Sequence, residues 1–211
     1  MKKITIILLF ILCLLISNGC TRPNVEFESN LPFKTVIISY EYTGNRSGEE
    51  TVYIDVKTNK IAVDTMVSAT LAGIIDNDHN LILYDGKTSY GVDLNKKSAI
   101  KVVKEGDIIS EIFGEQLYQN YYVKQDIFLD KLCKVYETPK GIFYFWHGIL
   151  LKQDVSLQLM GKKVNFTKEA TCIDTNTHIS QDKFKLPRGL KITSMDKIMK
   201  DFKKKFNTPG R

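Results

Sequence analysis

Few residues in this chain have the types and spacing to do chemistry. Gly86-Lys87-Thr88, in "DGKTSYG", ends as a phosphate-binding loop does, with a lysine for phosphate and a hydroxyl for magnesium. Such a loop needs another glycine five positions before Gly86, and Leu81 stands there. Asp85-Gly86 reads instead as the tip of a hairpin, a pair suited to the left-handed angles of a tight turn. Residues 76–80, "DNDHN", begin as a calcium loop does, with side-chain oxygens at alternate positions. Leu81 replaces the required glycine and Lys87 the bidentate glutamate, so the stretch reads as a polar loop. His79, His147 and His178 are scattered, with no second ligand at metal spacing, and read as structural residues. Ser47, in "GNRSG", is out of register for a nucleophile elbow, and spacing alone specifies no paired carboxylates and no Cys-His site. The expectation is a protein that is not an enzyme and carries neither metal nor cofactor.

Cys20 has a different chemistry. Lys2 and Lys3 precede an apolar run from Ile4 to Ile16, broken only by Thr5, the layout of an export signal. The run is too short to span a bilayer, which takes about 20 apolar residues, and it ends in Ser17, Asn18 and Gly19, small residues suited to cleavage. Small residues directly before Cys20 resemble the lipobox of bacterial lipoproteins, although Ser17 stands where leucine is usual. That resemblance implies removal of residues 1–19 and acylation of Cys20, with residues 20–32 as a lipidated terminus and short tether. Each buried CH₂ is worth about 0.8 kcal/mol, so several acyl chains make a durable anchor. The other reading is a plain secreted protein with a fortuitous cysteine. Thr21, rather than aspartate, after the cysteine favours the outer membrane, facing the periplasm.

Without residues 1–19 the formal charge falls by two lysines, from +6 to +4. The basic excess is concentrated in the C-terminal "DKIMKDFKKKFNTPGR", so it is local and points to no nucleic-acid groove. About 190 residues remain, enough for one domain with a substantial core, residues 33–211. Cys133 and Cys172 are left in an oxidising compartment where a disulfide would persist. Geometry pulls the other way. If residues 132–174 form a four-stranded meander, the two lie on its outer strands, about 14 Å apart at a spacing of about 4.8 Å, against a Cα limit of about 7 Å.

These side chains are positioned mainly by strands. "KTVIISYEYTG" is β-branched and aromatic, "NRSGEE" reads as a loop, and "TVYIDVKTNKIAVD" reads as two strands around residues 57–60. Further hairpins turn at Asp85-Gly86, at Pro139-Lys140-Gly141 and at Gly161. Helices are expected over residues 107–122, despite Gly114, and over the C-terminal "SMDKIMKDFKKKF", where Met195, Ile198, Met199, Phe202 and Phe206 fall on one stripe beneath lysines. That stripe fits a helix capping the sheet; a helix lying on anionic head groups is the sharper alternative. "DTMVSATLAGIIDNDHN" is ambiguous between a short helix and an irregular crossing. In "GIFYFWHGILL", Ile142, Tyr144 and Trp146 alternate with Phe143 and Phe145, so both faces of one strand are apolar and each needs a cover.

"YIDVKTNKIAVD", "LILYDGKTSYGVDLNKKSA", "GIFYFWHGILLK" and "KEATCIDTNTHISQDKFKLPRGLKI" together resemble the periplasmic carrier-like superfamily that includes the lipoprotein carrier LolA and the outer-membrane lipoprotein receptor LolB. The likeness is closest to uncharacterised lipoproteins within it. It implies an unclosed half-barrel, mainly antiparallel β, with helices on the concave face and a hydrophobic cavity between. An acyl chain or lipid is the expected ligand, with Ile112, Phe113, Tyr144 and Trp146 lining or closing the cavity. These four are equally well read as ordinary core, and the competing expectation is an accessory envelope lipoprotein that holds a partner protein.

Overall fold

The structure, a computed structural model, describes residues 31–71, 74–103, 114–159 and 161–206. All lie in the compact unit Leu31–Arg211. Cys20, Ile112 and Phe113 fall outside the described residues.

Two antiparallel meanders make one sheet. The first comprises β1 (Thr35–Gly44), β2 (Arg46–Asp55), β3 (Lys60–Leu71), β4 (Ile74–Tyr84), β5 (Thr88–Asp93) and β6 (Ser98–Val103). The second comprises β7 (Tyr122–Phe128), β8 (Lys131–Thr138), β9 (Gly141–Trp146), β10 (Ile149–Leu159) and β11 (Lys162–Thr175). The 3-10 helix η1 (Glu115–Tyr121) precedes β7; a second, η2 (Gln181–Phe184), then β12 (Lys191–Ser194) and the α-helix α1 (Met195–Phe206) follow β11. The described residues form an unclosed sheet of 12 strands in the order β12-β6-β5-β4-β3-β2-β1-β11-β10-β9-β8-β7. The half-barrel architecture expected from the sequence is therefore present.

Alternation decides which way each strand faces. In β1 the buried residues are Val36, Ile38, Tyr40 and Tyr42. Register places Ile54, Val52 and Glu50 of β2 beside the first three, and Ile61, Val63 and Thr65 of β3 beyond them. This core face carries the main apolar cluster, which extends to Phe143, Phe145 and Tyr136 on β9 and β8. Opposite, on β2 to β5, lies a second cluster: Ala62 and Leu83 are covered by Ile179, Phe184 and Leu186 from the strap of residues 176–190. The strap carries the chain from β11 to the far edge, where β12 pairs with β6 in parallel.

The seam between the meanders is the pairing of β1 with β11. A register shift between Ser39 and Tyr40 marks a bulge there, and another separates Leu150 from Lys152 between β9 and β10. Each adds a residue to one strand and bends it. Tyr40 faces Ala170 across the seam and passes over this small residue to donate its hydroxyl hydrogen to the Leu150 carbonyl at 2.6 Å. One buried ring thus ties three strands.

Several expectations are corrected. "NRSGEE" is not a loop, because β2 begins at Arg46 and only Asn45 turns the chain. The Asn45 amide donates to the Asn165 carbonyl at 2.8 Å and its side-chain oxygen accepts from the Asn165 amide at 2.9 Å, which holds the tight turn. The ambiguous stretch is a long hairpin: β3 and β4 pair from Ile61 with Tyr84 to Leu71 with Ile74, and "DNDHN" is strand within it. The helix expected over 107–122 is, in its described part, the 3-10 turn η1. Gly114 takes φ 58, a left-handed conformation in which an α-helix does not continue. The C-terminal helix lies where its stripe places it.

Gly141 shows why its turn needs glycine. Its φ is 149, and an added Cβ would lie 1.9 Å from the Asp154 carbonyl oxygen of β10. Gly141→Ala should therefore open the β9–β10 hairpin and cost on the order of 1–3 kcal/mol, read as a lower urea midpoint at unchanged m.

Candidate functional site

The core face changes character along its strands. Near the β1 start it is aliphatic. At the row formed by Tyr40, Glu50, Thr65 and Asn80 it turns polar, because each of those residues is cross-strand neighbour to the next. Glu50 is only 7% exposed. Its carboxylate pairs with Lys168 of β11, which reaches over β1 to meet it. Glu50 Oε2 also accepts from the Tyr42 hydroxyl at 2.8 Å and the Thr65 hydroxyl at 3.0 Å. Lys168 Nζ lies 4.1 Å from the Tyr40 ring centroid, and the Arg46 guanidinium 4.4 Å from that of Tyr42, so both cations rest on aromatic faces.

Burial alone would push the Glu50 carboxyl up; the Lys168 charge, with hydrogen bonds from Lys168, Tyr42 and Thr65, outweighs it and holds Glu50 below the usual carboxylate range. Burial first, then the Glu50 charge, raises the phenols of Tyr40 and Tyr42. The carboxylate is thus met by a cation and two hydroxyls. The cluster is a closed, satisfied network, suited to fixing the register of β11, β1, β2 and β3.

The second candidate is the aromatic part of the same face. Tyr118 of η1 lies over Phe143 and Phe145 with centroids 4.6 and 5.6 Å away, and Tyr136 and Tyr122 continue the ring cluster. Glu115, at the start of η1, accepts from the Tyr136 hydroxyl at 2.5 Å and from Lys134 Nζ at 3.1 Å, which holds the short helix on the sheet. None of the η1 residues is buried. Leu117 of η1 is 63% exposed, and the directly opposed pair Ile127 and Leu132 on β7 and β8 is 71% and 60% exposed. This is an aromatic floor under a thin cover, with aliphatic side chains left in water around it.

Tyr144 and Trp146 do not belong to that floor. By alternation they lie on the other side of β9 from Phe143 and Phe145. There Phe33 stacks on Trp146 at 5.3 Å and Phe128 lies 6.1 Å from Tyr144, so both half-buried rings are packed by other rings. The two-faced apolar strand is accounted for by η1 on one side and by Phe33 and Phe128 on the other. Ile112 and Phe113 lie outside the described residues. Cys133, buried on β8, and Cys172, exposed on β11, are free thiols separated by β9 and β10. His79 Nε2 lies 3.0 Å from Asp64 Oδ1 across the hairpin, and among the described residues no group of His, Cys, Asp and Glu is arranged to hold a metal ion.

Sequence reasoning missed Glu50 because it assigned Glu49 and Glu50 to a loop. A signal existed. Glu50, Val52 and Ile54 are spaced by two, so extending the strand by a few residues brings a carboxylate into the core register, where a cation must meet it.

No family model and no curated protein matches the chain. Its fold is similar to that of an uncharacterized conserved protein from Thermus thermophilus, with a TM-score of 0.50 and 7% identity over 77% of this chain and 91% of that one. At that identity the likeness shows the fold alone. PNGF-II matches at a TM-score of 0.43 with 10% identity, over 81% of this chain and 34% of that one. MucB matches at 0.36 with 13% identity, over 74% and 58%. At such scores neither carries an argument about this chain.

The Glu50 network makes stability depend on pH in a definite direction. A folded-state value below the unfolded one means that its contribution is complete above the unfolded value, about 4.3, and is lost as pH falls through the folded one. Lys168→Met leaves a buried carboxylate without its cation and should cost about 3–5 kcal/mol at pH 7. Urea midpoints between pH 7 and pH 3 should show this loss shrinking toward acid, where Glu50 takes up a proton.

Proposed function

We propose that this is a non-catalytic envelope lipoprotein, anchored through acylated Cys20, that receives an apolar chain against the aromatic floor of its open sheet. One observation carries the reading: among the described residues the element lying over the Phe143–Phe145–Tyr136 floor is a 3-10 turn with no buried residue, and Leu117 of that turn, with Ile127 and Leu132 nearby, is exposed. Covering these side chains with an acyl chain would return about 25 cal/mol per Å² of apolar surface. The floor is preformed by strands, so little ordering opposes binding. η1, held by the exposed Glu115–Lys134 contact and the Tyr136 hydroxyl, is the element able to yield. The sequence around Cys20 supports the anchor, and Thr21 after it supports the outer-membrane placement. The same exposed side chains favour, as a second reading, an accessory lipoprotein that docks a partner protein there.

Native mass spectrometry of the purified chain, with solvent extraction, should find a stoichiometric lipid, and added fatty acid should bind when that lipid is stripped. Leu117→Asp and Leu132→Asp alter exposed positions, so they should keep the fold and weaken fatty-acid uptake roughly tenfold, as burying a charge beside a chain requires. A clean mass that ignores fatty acids and phospholipids would leave the partner-docking reading. Separately, Cys20→Ser should move the protein from the membrane to the soluble fraction and remove its acyl mass; retention at the membrane would overturn the anchor.

A further inference from the structure

The two ends of the sheet are finished differently. At one end β12 has four residues and runs straight into α1. At the other, β7 has seven residues, pairs among the described strands with β8 alone, is bulged at Val123, and shows the burial pattern of a strand exposed along most of its length. A bulge is one way to blunt an edge, but this one lies at the N-terminal end of β7, and the regular ladder from Lys124 to Phe128 leaves a template for another strand. Lys124 would serve as the usual protective charge, yet Asp126 lies on the same side of the strand and pairs with it at 2.7 Å, leaving the edge neutral overall.

The sequence of that edge is symmetric in chemistry. Around Gln125, "VKQDI" reads aliphatic, cation, amide, anion, aliphatic from either end, with the charges exchanged. We propose that β7 pairs antiparallel with β7 of a second copy of this chain about a two-fold axis at Gln125. In that register Lys124 stands opposite Asp126 of the partner and Asp126 opposite its Lys124. Ile127, as exposed as any large apolar residue of the strand, falls beside the bulged Val123 of the partner, which is 54% exposed. Opposite charges directly across strands stabilise an antiparallel ladder. An isologous contact also closes on itself, so it consumes the edge without seeding a fibre. The strand carries its own complement in both halves of this pattern, so a second copy meets it without any other sequence. The sheet continues across the axis, and the aromatic floors of the two copies come to lie on one continuous face.

The test uses the full chain in detergent, with Cys172→Ser removing the exposed thiol. In a two-fold pair the position 125 Cβ atoms stand about 4.5–5.5 Å apart, so Gln125→Cys should give a covalent dimer on mild oxidation. Lys87→Cys, in the distant β4–β5 turn, should not. Lys124→Asp and Asp126→Lys each place like charges opposite one another twice, and each should raise the dimer dissociation constant roughly tenfold or more in analytical ultracentrifugation. Mixed in equal amounts, the two variants should re-form a heterodimer, because the acidic edge of one meets the basic edge of the other. Neither variant holds the internal Lys124–Asp126 pair, so this recovery reports contact between chains alone. Crosslinking at position 125 no greater than at position 87, a parent chain that stays monomeric, or variants that associate as the parent does would each overturn the proposal.

Discussion

The pairing of β1 with β11 holds the structure together. Each meander is built from strands adjacent in sequence. At the seam, residues separated by more than a hundred positions meet. Tyr40 crosses Ala170 to the Leu150 carbonyl, Lys168 crosses β1 to Glu50, and the Lys34 amide reaches the Asn176 side chain. Long-range closure is entropically costly, so the contacts that repay it must be strong in aggregate. Large buried rings and a charge-assisted network supply that, and they also define one register. A slip of one residue in β11 would turn Lys168 out of the core and leave Glu50 buried without its cation.

The same seam explains the division of the core face. The ionic network occupies the middle strands, where it needs full cover to hold its geometry, and is there completely satisfied. The aromatic floor lies on β8 and β9, away from it, where η1 is the described element that lies over the sheet. The rings of β8 and β9 are buried too, but the turn that lies over them has no buried residue. Rings that pack tightly against one another make a rigid floor, while a 3-10 turn with poorer hydrogen-bond geometry than an α-helix is inexpensive to displace. The arrangement suits a surface that has to accept an apolar occupant and release it.

Much of the architecture is legible in sequence because strands advertise themselves by alternation and turns by Gly and Asp. "TVIISYEY", Asp85-Gly86 and Pro139-Lys140-Gly141 are all local signals, and the elements lie there. The long β3–β4 hairpin was hidden because "DNDHN" is polar on both faces of its strand. Asp78 and Asn80 fall on the core face beside Val67 and Thr65, beyond the apolar rows, so the pattern there imitates a loop. The site was less legible for a different reason. Trp146 and Tyr144 are conspicuous by type, but whether a ring on a two-faced strand lines a cavity or packs against its neighbours depends on Phe33, far away in sequence, and on Phe128, two strands back. Tyr118 went unweighted because its partners, Phe143 and Phe145, lie on another element.

The two edges of the sheet extend this reasoning. A long open sheet has two places where backbone donors and acceptors are unpaired, and the fold treats them unequally. The strap, residues 176–190, passes the whole first meander, from β1 to β6, to bring β12 and α1 to one edge. Blunting the opposite edge would take far less: a proline, or a second lysine in place of Asp126. Instead β7 carries a bulge at Val123 and is otherwise regular and neutral, with Ile127 exposed. Among the described residues one edge is thus closed by a strap, a strand and a helix and the other is marked by a bulge alone, which is the arrangement expected of a sheet whose other end is met by something outside the single chain.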